Sequence, residues 1–203
     1  MKIICIGRNY VDHIHELKNE VPDSPLIFFK PDTSVLRNNK DFYYPEFTKD
    51  LHFECEMVLR ISREGKYIQE EYVRDYIDGV GVGIDLTARD IQSEAKKKGL
   101  PWTLAKGFND AAPVSNFLPI EQFPDLQDVH FRCAINGETR QEGHTAKMIY
   151  PVANLISYIS QFITVKKGDL IFTGTPKGVG PLSIGDHVEA WLGDEQMMDF
   201  QVR

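Results

Sequence analysis

Glu54 and Glu56 stand two residues apart in Leu51-His52-Phe53-Glu54-Cys55-Glu56-Met57-Val58-Leu59. In an extended strand alternate side chains share a face. The two carboxylates then point one way, and Phe53, Cys55 and Met57 point the other, as a core face would. Carboxylates held side by side repel each other unless a proton or a cation sits between them. Oxygen ligands of this kind suit a hard divalent ion such as magnesium, manganese or calcium. A charged, solvated strand face is the plainer reading of the same spacing. Asp85 ends the apolar, glycine-bearing run from Val80, just before a helix start. Alone it reads as a turn or capping aspartate. Beside Glu54 and Glu56 it completes a three-carboxylate set, and three converging negative charges demand a divalent cation.

Other residues have types and spacings suited to work beside such an ion. Arg89 and Gln92 follow Asp85 at i and i+3 on the next helix, hence on one face. Lys106, among the apolar and small residues of Pro101-Trp102-Thr103-Leu104-Ala105-Lys106-Gly107-Phe108, either snorkels outward or serves as a buried cation. His13 and Glu16 share a short helix at i and i+3, with His15 close by. A carboxylate beside an imidazole fixes its tautomer and raises its basicity, the arrangement of a general base; a surface ion pair is the plainer alternative. The loop Thr173-Gly174-Thr175-Pro176-Lys177-Gly178-Val179-Gly180-Pro181 offers hydroxyls and backbone N–H groups to a carboxylate or carbonyl oxygen. It lacks the spacing of a nucleotide phosphate loop.

The elements that must carry these residues follow from hydrophobic patterning. Strands are expected over residues 2–6, 26–29, 53–61, 80–86 and 170–173. Hairpins are expected over 129–141, turning at Asn136-Gly137, and over 187–202. Helices are expected over 9–17, 69–77 and 87–98. The last of these has Thr87 and Asp90 in capping-box register and a stop at Gly99. A further helix from Pro151 carries an apolar stripe of Val152, Leu155, Ile156, Ile159, Phe162 and Ile163. Strands outnumber helices and connect mostly as hairpins, so the class is α+β, dominated by sheet. The 203 residues suit one large domain, and 42% hydrophobic with 26% charged residues is ordinary globular composition. No apolar run is long enough to span a membrane. A net charge of -7 argues against nucleic-acid binding, and an anionic substrate would need a local positive centre. Cys5, Cys55 and Cys133 are isolated in apolar surroundings, which predicts reduced core thiols and, with an N-terminus that reads straight into a strand, a cytoplasmic location.

Taken together, these segments resemble the fumarylacetoacetate hydrolase family. The likeness is carried by Gly7-Arg8-Asn9-Tyr10 with His13 and Glu16, by Phe28-Phe29-Lys30-Pro31, by His52 through Glu56 and by Asp85 through Gln92. It continues in Lys97 through Trp102 with Ala105-Lys106, in Asn136-Gly137 with Gln141 and Gly143, and in Thr173 through Pro181. It runs in one order from about residue 3 to residue 200. The stretch from Asp85 to Lys106 is most similar to the short acylpyruvase and oxaloacetate decarboxylase branch. The resemblance implies a mixed β-roll with a few peripheral helices, one catalytic domain over residues 1–203, a homodimer, and one magnesium or manganese ion. It implies metal ligands Glu54, Glu56 and Asp85, and a catalytic dyad of His13 and Glu16 on a segment that acts as a lid in relatives. Lys106 would sit beside the metal and the substrate oxygens, with Arg89, Gln92, Lys30 and Thr175 lining the substrate pocket. Gly107 stands where several relatives carry a polar residue. The implied reaction is metal-dependent cleavage of a C–C bond in a small 2-oxo acid: acylpyruvate hydrolysis, oxaloacetate decarboxylation, or both, through an enolate. Isomerisation or hydration of unsaturated 2-oxo dicarboxylates is the alternative within the fold. A non-catalytic, metal-dependent dicarboxylate binder is the alternative from another class.

Overall fold

The computed structural model describes residues 1–16 and 22–203; the side chains of residues 13–15 also fall outside the described set. The chain runs through β1 (Ile3–Gly7), α1 (Val11–Glu16), β2 (Leu26–Lys30), β3 (Leu51–Phe53), β4 (Cys55–Ile61), β5 (Ile77–Ile84), β6 (Thr87–Ala88), α2 (Arg89–Lys98) and α3 (Thr103–Lys106). It continues through β7 (Leu118–Pro119), β8 (His130–Ile135), β9 (Glu138–His144), α4 (Val152–Phe162), β10 (Leu170–Phe172), β11 (Gly180–Pro181), β12 (His187–Leu192) and β13 (Glu195–Gln201). Six strands form one sheet in the order β2-β1-β10-β4-β5-β7. It is mixed because β1 and β10 pair in parallel, Ile3 opposite Leu170, while the other neighbours are antiparallel. Four strands form an antiparallel sheet, β9-β8-β12-β13, and three short ones form β11-β3-β6. The class is α+β.

Ile3, Ile4, Cys5 and Ile6 are all buried, so β1 is covered on both faces and reads as an unbroken apolar run rather than an alternation. The core on the Ile4 and Ile6 face takes Met57, Leu59 and Ile61 from β4, Val80, Val82 and Ile84 from β5, and Leu155, Ile156 and Ile159 from α4, while Ile3 and Cys5 pack with Val58, Leu170 and Phe172 on the other. The Asn136-Gly137 turn is formed as expected, with both residues at positive φ (55° and 77°), the geometry whose twist matches a two-residue hairpin.

Four local expectations are corrected. The strand expected over 53–61 is broken at Glu54. β3 belongs to the three-stranded sheet, where Leu51 pairs with Ala88, and β4 belongs to the six-stranded one, where Glu56 pairs with Gly83. At the step between sheets the Glu54 carbonyl accepts from Asp85 N (2.7 Å), and Gln141 Oε1 accepts from Cys55 N (2.8 Å). The capping box at Thr87 does not form. Thr87 and Ala88 pair with β3, the helix starts at Arg89, and the Thr87 hydroxyl is used elsewhere. Residues Glu70–Tyr76 form a 3-10 run instead of an α-helix; only Val73 in it is buried, too little for an amphipathic stripe. Phe162 is 65% exposed and Ile163 has left the helix, so the α4 stripe ends at Ile159.

Candidate active site

Glu54, in the step between sheets, Glu56, second in β4, and Asp85, just past β5, meet at the floor of one cavity. Their carboxylate oxygens lie within 4.8 Å of one another, and all three residues are buried. Backbone pairing explains the meeting: Glu56 faces Gly83 across the β4–β5 ladder, two residues short of Asp85, and the Asp85 N–H bonds back to Glu54 O. Charges this deep need compensation. Lys106 Nζ, from α3, donates to Glu54 Oε2 (2.8 Å), Asp85 Oδ2 (2.7 Å) and Thr87 Oγ1 (2.6 Å). Arg89 Nη2 donates to Glu54 Oε1 (2.5 Å), and Nη1 donates to Gln92 Oε1 (2.6 Å). Lys30 Nζ approaches Asp85 Oδ1 to 2.7 Å from behind, an ion pair off the hydrogen-bonding direction. It also donates to Leu86 O and to the carbonyl of Lys106, which fixes the Lys106 backbone.

Glu56 is compensated least. Among the described residues its carboxylate accepts from one backbone donor, Gly174 N, at 2.7 Å from Oε2. Burial first, then the charges of Asp85 and Glu54, push its carboxyl well above the ordinary range. Burial opposes the charge of Lys106, but Asp85 and Glu54 outweigh it and hold that ammonium above its usual value. So two carboxylates are paired, and among the described residues the third has no ion pair. Three oxygen donors at mutual ligand spacing, one of them in want of positive charge, fit a hard divalent ion such as magnesium or manganese.

The loop after β10 closes one side. Gly174 sits at φ 106°, a conformation that favours glycine, and a Cβ there would lie 2.6 Å from the Cβ of Asn9. This backbone is what aims its N–H at Glu56. Asn9 supports the loop by donating from Nδ2 to Thr173 O (2.8 Å). The Thr175 hydroxyl donates to Cys55 O (2.8 Å) and accepts from Gln141 Nε2 (2.8 Å). Further along, Gly178 N donates to the Glu16 carboxylate (3.1 and 3.2 Å), which ties the end of α1 to the same loop.

The enclosed part of the cavity is about 30 Å³, the room of an ion and a water or two, and the space beyond it is open to solvent. Glu54, Glu56, Asp85, Arg89, Gln92, Lys106 and Thr175 line it. Lys30 does not, contrary to expectation. It is 1% exposed, because its ammonium is spent on Asp85 and on the carbonyls behind it. His13 falls in α1, but its side chain lies outside the described residues, and Glu16 is exposed on the loop side. Among the described residues the buried Arg89 Nε has no hydrogen-bond partner, a donor left over for an incoming acceptor. Arg8, Lys96, Phe28 and Trp102 also line the cavity and were not singled out as pocket residues from sequence. The usable signal for Lys96 was its place at i+7 from Arg89, on the same helical stripe.

The fumarylacetoacetate (FAA) hydrolase C-terminal family model matches residues 2–203, and the chain belongs to this family. It is 44% identical to the mouse (Mus musculus) protein named oxaloacetate tautomerase FAHD1, mitochondrial, over 99% of this chain and 91% of that one. It is 40% identical to a protein of Dictyostelium discoideum named oxaloacetate decarboxylase, mitochondrial, over 99% of this chain and 93% of that one. The structure superposes on fumarylpyruvate hydrolase from Pseudomonas aeruginosa, solved with Mn2+ and pyruvate, with a TM-score of 0.94 at 31% identity, covering 100% of this chain and 89% of that one. Both curated relatives carry a mitochondrial name, a different compartment from the cytoplasm expected above. Among the described residues no helix is long and apolar enough to cross a membrane.

Proposed function

We propose that this chain is a divalent-cation-dependent enzyme that breaks a C–C bond in small 2-oxo acids, by acylpyruvate hydrolysis, oxaloacetate decarboxylation, or both. The observation that carries this reading is the convergence of Glu54, Glu56 and Asp85 at the cavity floor, with Lys106 bonded to two of them and Arg89 to Glu54. The Mn2+ and pyruvate of the Pseudomonas relative support it. A bound cation would supply Lewis-acid polarisation of the 2-oxo carbonyl and stabilise negative charge developing at its oxygen.

The chain's own residues supply the rest. Lys106 and Lys30 pair with Glu54 and Asp85 and aim them, and Gly174 N–H holds Glu56. Arg89 offers its unused Nε to the acid's carboxylate. Phe28, Ile6 and Trp102 give the cavity an apolar wall that thins the water around it. In hydrolysis, His13, oriented by Glu16, takes a proton from water as the water oxygen adds to the distal carbonyl. The C–C bond then breaks, its electron pair passing to the pyruvate fragment as an enolate. A proton returned to carbon yields pyruvate beside the carboxylic acid. In decarboxylation no water enters: carbon dioxide leaves and the electron pair passes into the same enolate.

A second reading, favoured by the name of the mouse relative, is keto–enol interconversion of oxaloacetate, in which a proton moves and no C–C bond breaks. The deciding experiment offers acetylpyruvate, oxaloacetate and enol-oxaloacetate to the purified protein with magnesium or manganese, then repeats the panel after chelation. Pyruvate appearing only with metal supports the first reading. Loss of the enol signal without pyruvate supports the second, and no metal-dependent change in any substrate overturns both. His13→Ala is expected to slow hydrolysis by about 10²–10⁴-fold and to spare decarboxylation. The homodimer implied by the family resemblance belongs to the same proposal, and light scattering on the eluting protein tests it.

A further inference from the structure

We propose that Lys96 reads a distal carboxylate on the bound 2-oxo acid, so that the site prefers dianionic ligands to monoanionic ones of the same length. The inference rests on the 2-oxo-acid reading above and adds a residue that decides between such acids.

Arg89, Gln92 and Lys96 stand at i, i+3 and i+7 of α2, one stripe of the helix, and all three line the cavity. Arg89 is bonded to Glu54 at the floor and to Gln92. Lys96 lies four residues beyond Gln92, roughly 6 Å further along the helix axis. That is the reach of a short carbon chain whose first carboxylate and 2-oxo oxygen sit at the floor. The Lys96 ammonium lies 5.4 Å from the centroid of the Trp102 ring, which braces it at the cavity wall.

The charges around it are already spoken for. Glu54 is taken by Lys106 and Arg89, and Asp85 by Lys106 and Lys30. Among the described residues Lys96 has no ion pair. Lys96 keeps an exposed surface; what burial it has, then the charges of Arg89 and Arg8, hold its ammonium below the ordinary lysine value. Arg89, Lys96 and Lys106 match the three carboxylates of the cavity lining, and a divalent ion would add two positive charges in excess of them. In a chain whose net charge is -7, this is a local positive focus. A monocarboxylate leaves most of that excess in place; a second carboxylate near Lys96 offsets more of it. A surface lysine resting on a tryptophan is the plain alternative, and it predicts no effect of Lys96 on ligand choice.

The test is calorimetric binding of 2-oxoglutarate and 2-oxovalerate to the manganese-loaded protein. The two have the same carbon chain and differ in a distal carboxylate against a methyl, and neither is a β-oxo acid that would decarboxylate. The wild type is expected to prefer the diacid by about tenfold or more. Lys96→Met is expected to cut that ratio about tenfold, while Lys96→Arg retains most of it. The proposal is overturned if the wild type binds both equally, if Lys96→Met keeps the wild-type ratio, or if Lys96→Arg loses as much as Lys96→Met. Equal binding of both ligands leaves the 2-oxo-acid reading standing and sinks the role of Lys96. Binding of neither sinks both.

Discussion

At the cavity floor Glu54, Glu56 and Asp85 bring carboxylate oxygens within 4.8 Å of one another; on the four-stranded sheet Asp128, His130 and His144 bring a carboxylate and two imidazoles equally close. His130 and His144 are direct cross-strand partners with rings stacked at 4.0 Å, and His144 Nε2 is 2.9 Å from Asp128 Oδ1. Proximity is the same and surroundings are not. The Asp128 side chain is 73% exposed, that of Asp85 1%. Water compensates the first cluster, so nothing else in the fold has to be arranged around it. The second must be compensated from within, and Lys30, Lys106, Arg89, Thr87 and Gly174 are placed to do so. Convergence of ligating groups is therefore weak as a functional signal, and convergence plus burial plus an organised set of counter-charges is strong.

The largest expected effect breaks the buried side of this contrast. Lys106→Met removes the cation shared by Glu54, Asp85 and Thr87 and leaves two buried carboxylates short of a partner. Losing one member of a buried ion pair costs about 3–5 kcal/mol, and urea denaturation with chelator present should show a loss of that order. A loss below about 1 kcal/mol, the level of surface pairs, would place the floor on a par with the exposed cluster.

Next in size is the cation itself. Manganese at a hundredfold excess over its Kd should stabilise the wild type by about 2.7 kcal/mol, read as a rise in Tm that chelation reverses. Glu56→Gln should abolish that rise, because it removes the carboxylate that lacks a cation. A full manganese response in Glu56→Gln means the ion sits somewhere other than this floor.

Asp90 occupies the middle ground, half-buried at the start of α2. Burial opposes its charge, but donors from Thr48 Oγ1 (2.6 Å), Lys49 N (3.1 Å) and Ile91 N (2.8 Å) outweigh it and hold its carboxyl below the ordinary aspartate value. A carboxyl with a depressed folded pKa stabilises the fold above its unfolded pKa of about 3.9 and loses that contribution as pH falls through the folded value. Asp90→Asn should thus cost about 1 kcal/mol at neutral pH, with solvent screening holding it to that level. The gap to wild type should close below about pH 4. A gap that stays constant across that range would mean that shape, not charge, matters at this position.

Much of this arrangement was legible from residue order because it depends on short-range pattern. The i, i+2 spacing of Glu54 and Glu56, the helical face shared by Arg89 and Gln92, the Asn136-Gly137 turn and the glycine stop of α2 are local properties. What failed depended on partners distant in the chain. Nothing near Phe53 announces that the strand steps between sheets at Glu54, because the donor and acceptor that permit it come from Asp85 and Gln141. Thr87 has the right spacing for a cap, but a lysine 19 residues later takes its hydroxyl. The family resemblance put Lys30 at the substrate, and nothing in Phe28-Phe29-Lys30-Pro31 tells that its ammonium is consumed by Asp85, Leu86 O and Lys106 O.

The smallest expected effect lies on the exposed side. Asp128→Asn removes the carboxylate from its cluster but strands no buried charge, since water replaces it and His144 keeps its stacked partner. Stability by urea denaturation should stay within the scatter of replicate measurements, and the manganese-induced rise in Tm should match the wild type. A variant that loses the manganese response would show that the stacked histidine cluster takes part in holding the ion. The contrast between buried and exposed groups would then need a long-range connection between the two sheets, through contacts such as Gln141, which stands in the same strand as His144 and bonds to Cys55 beside both glutamates.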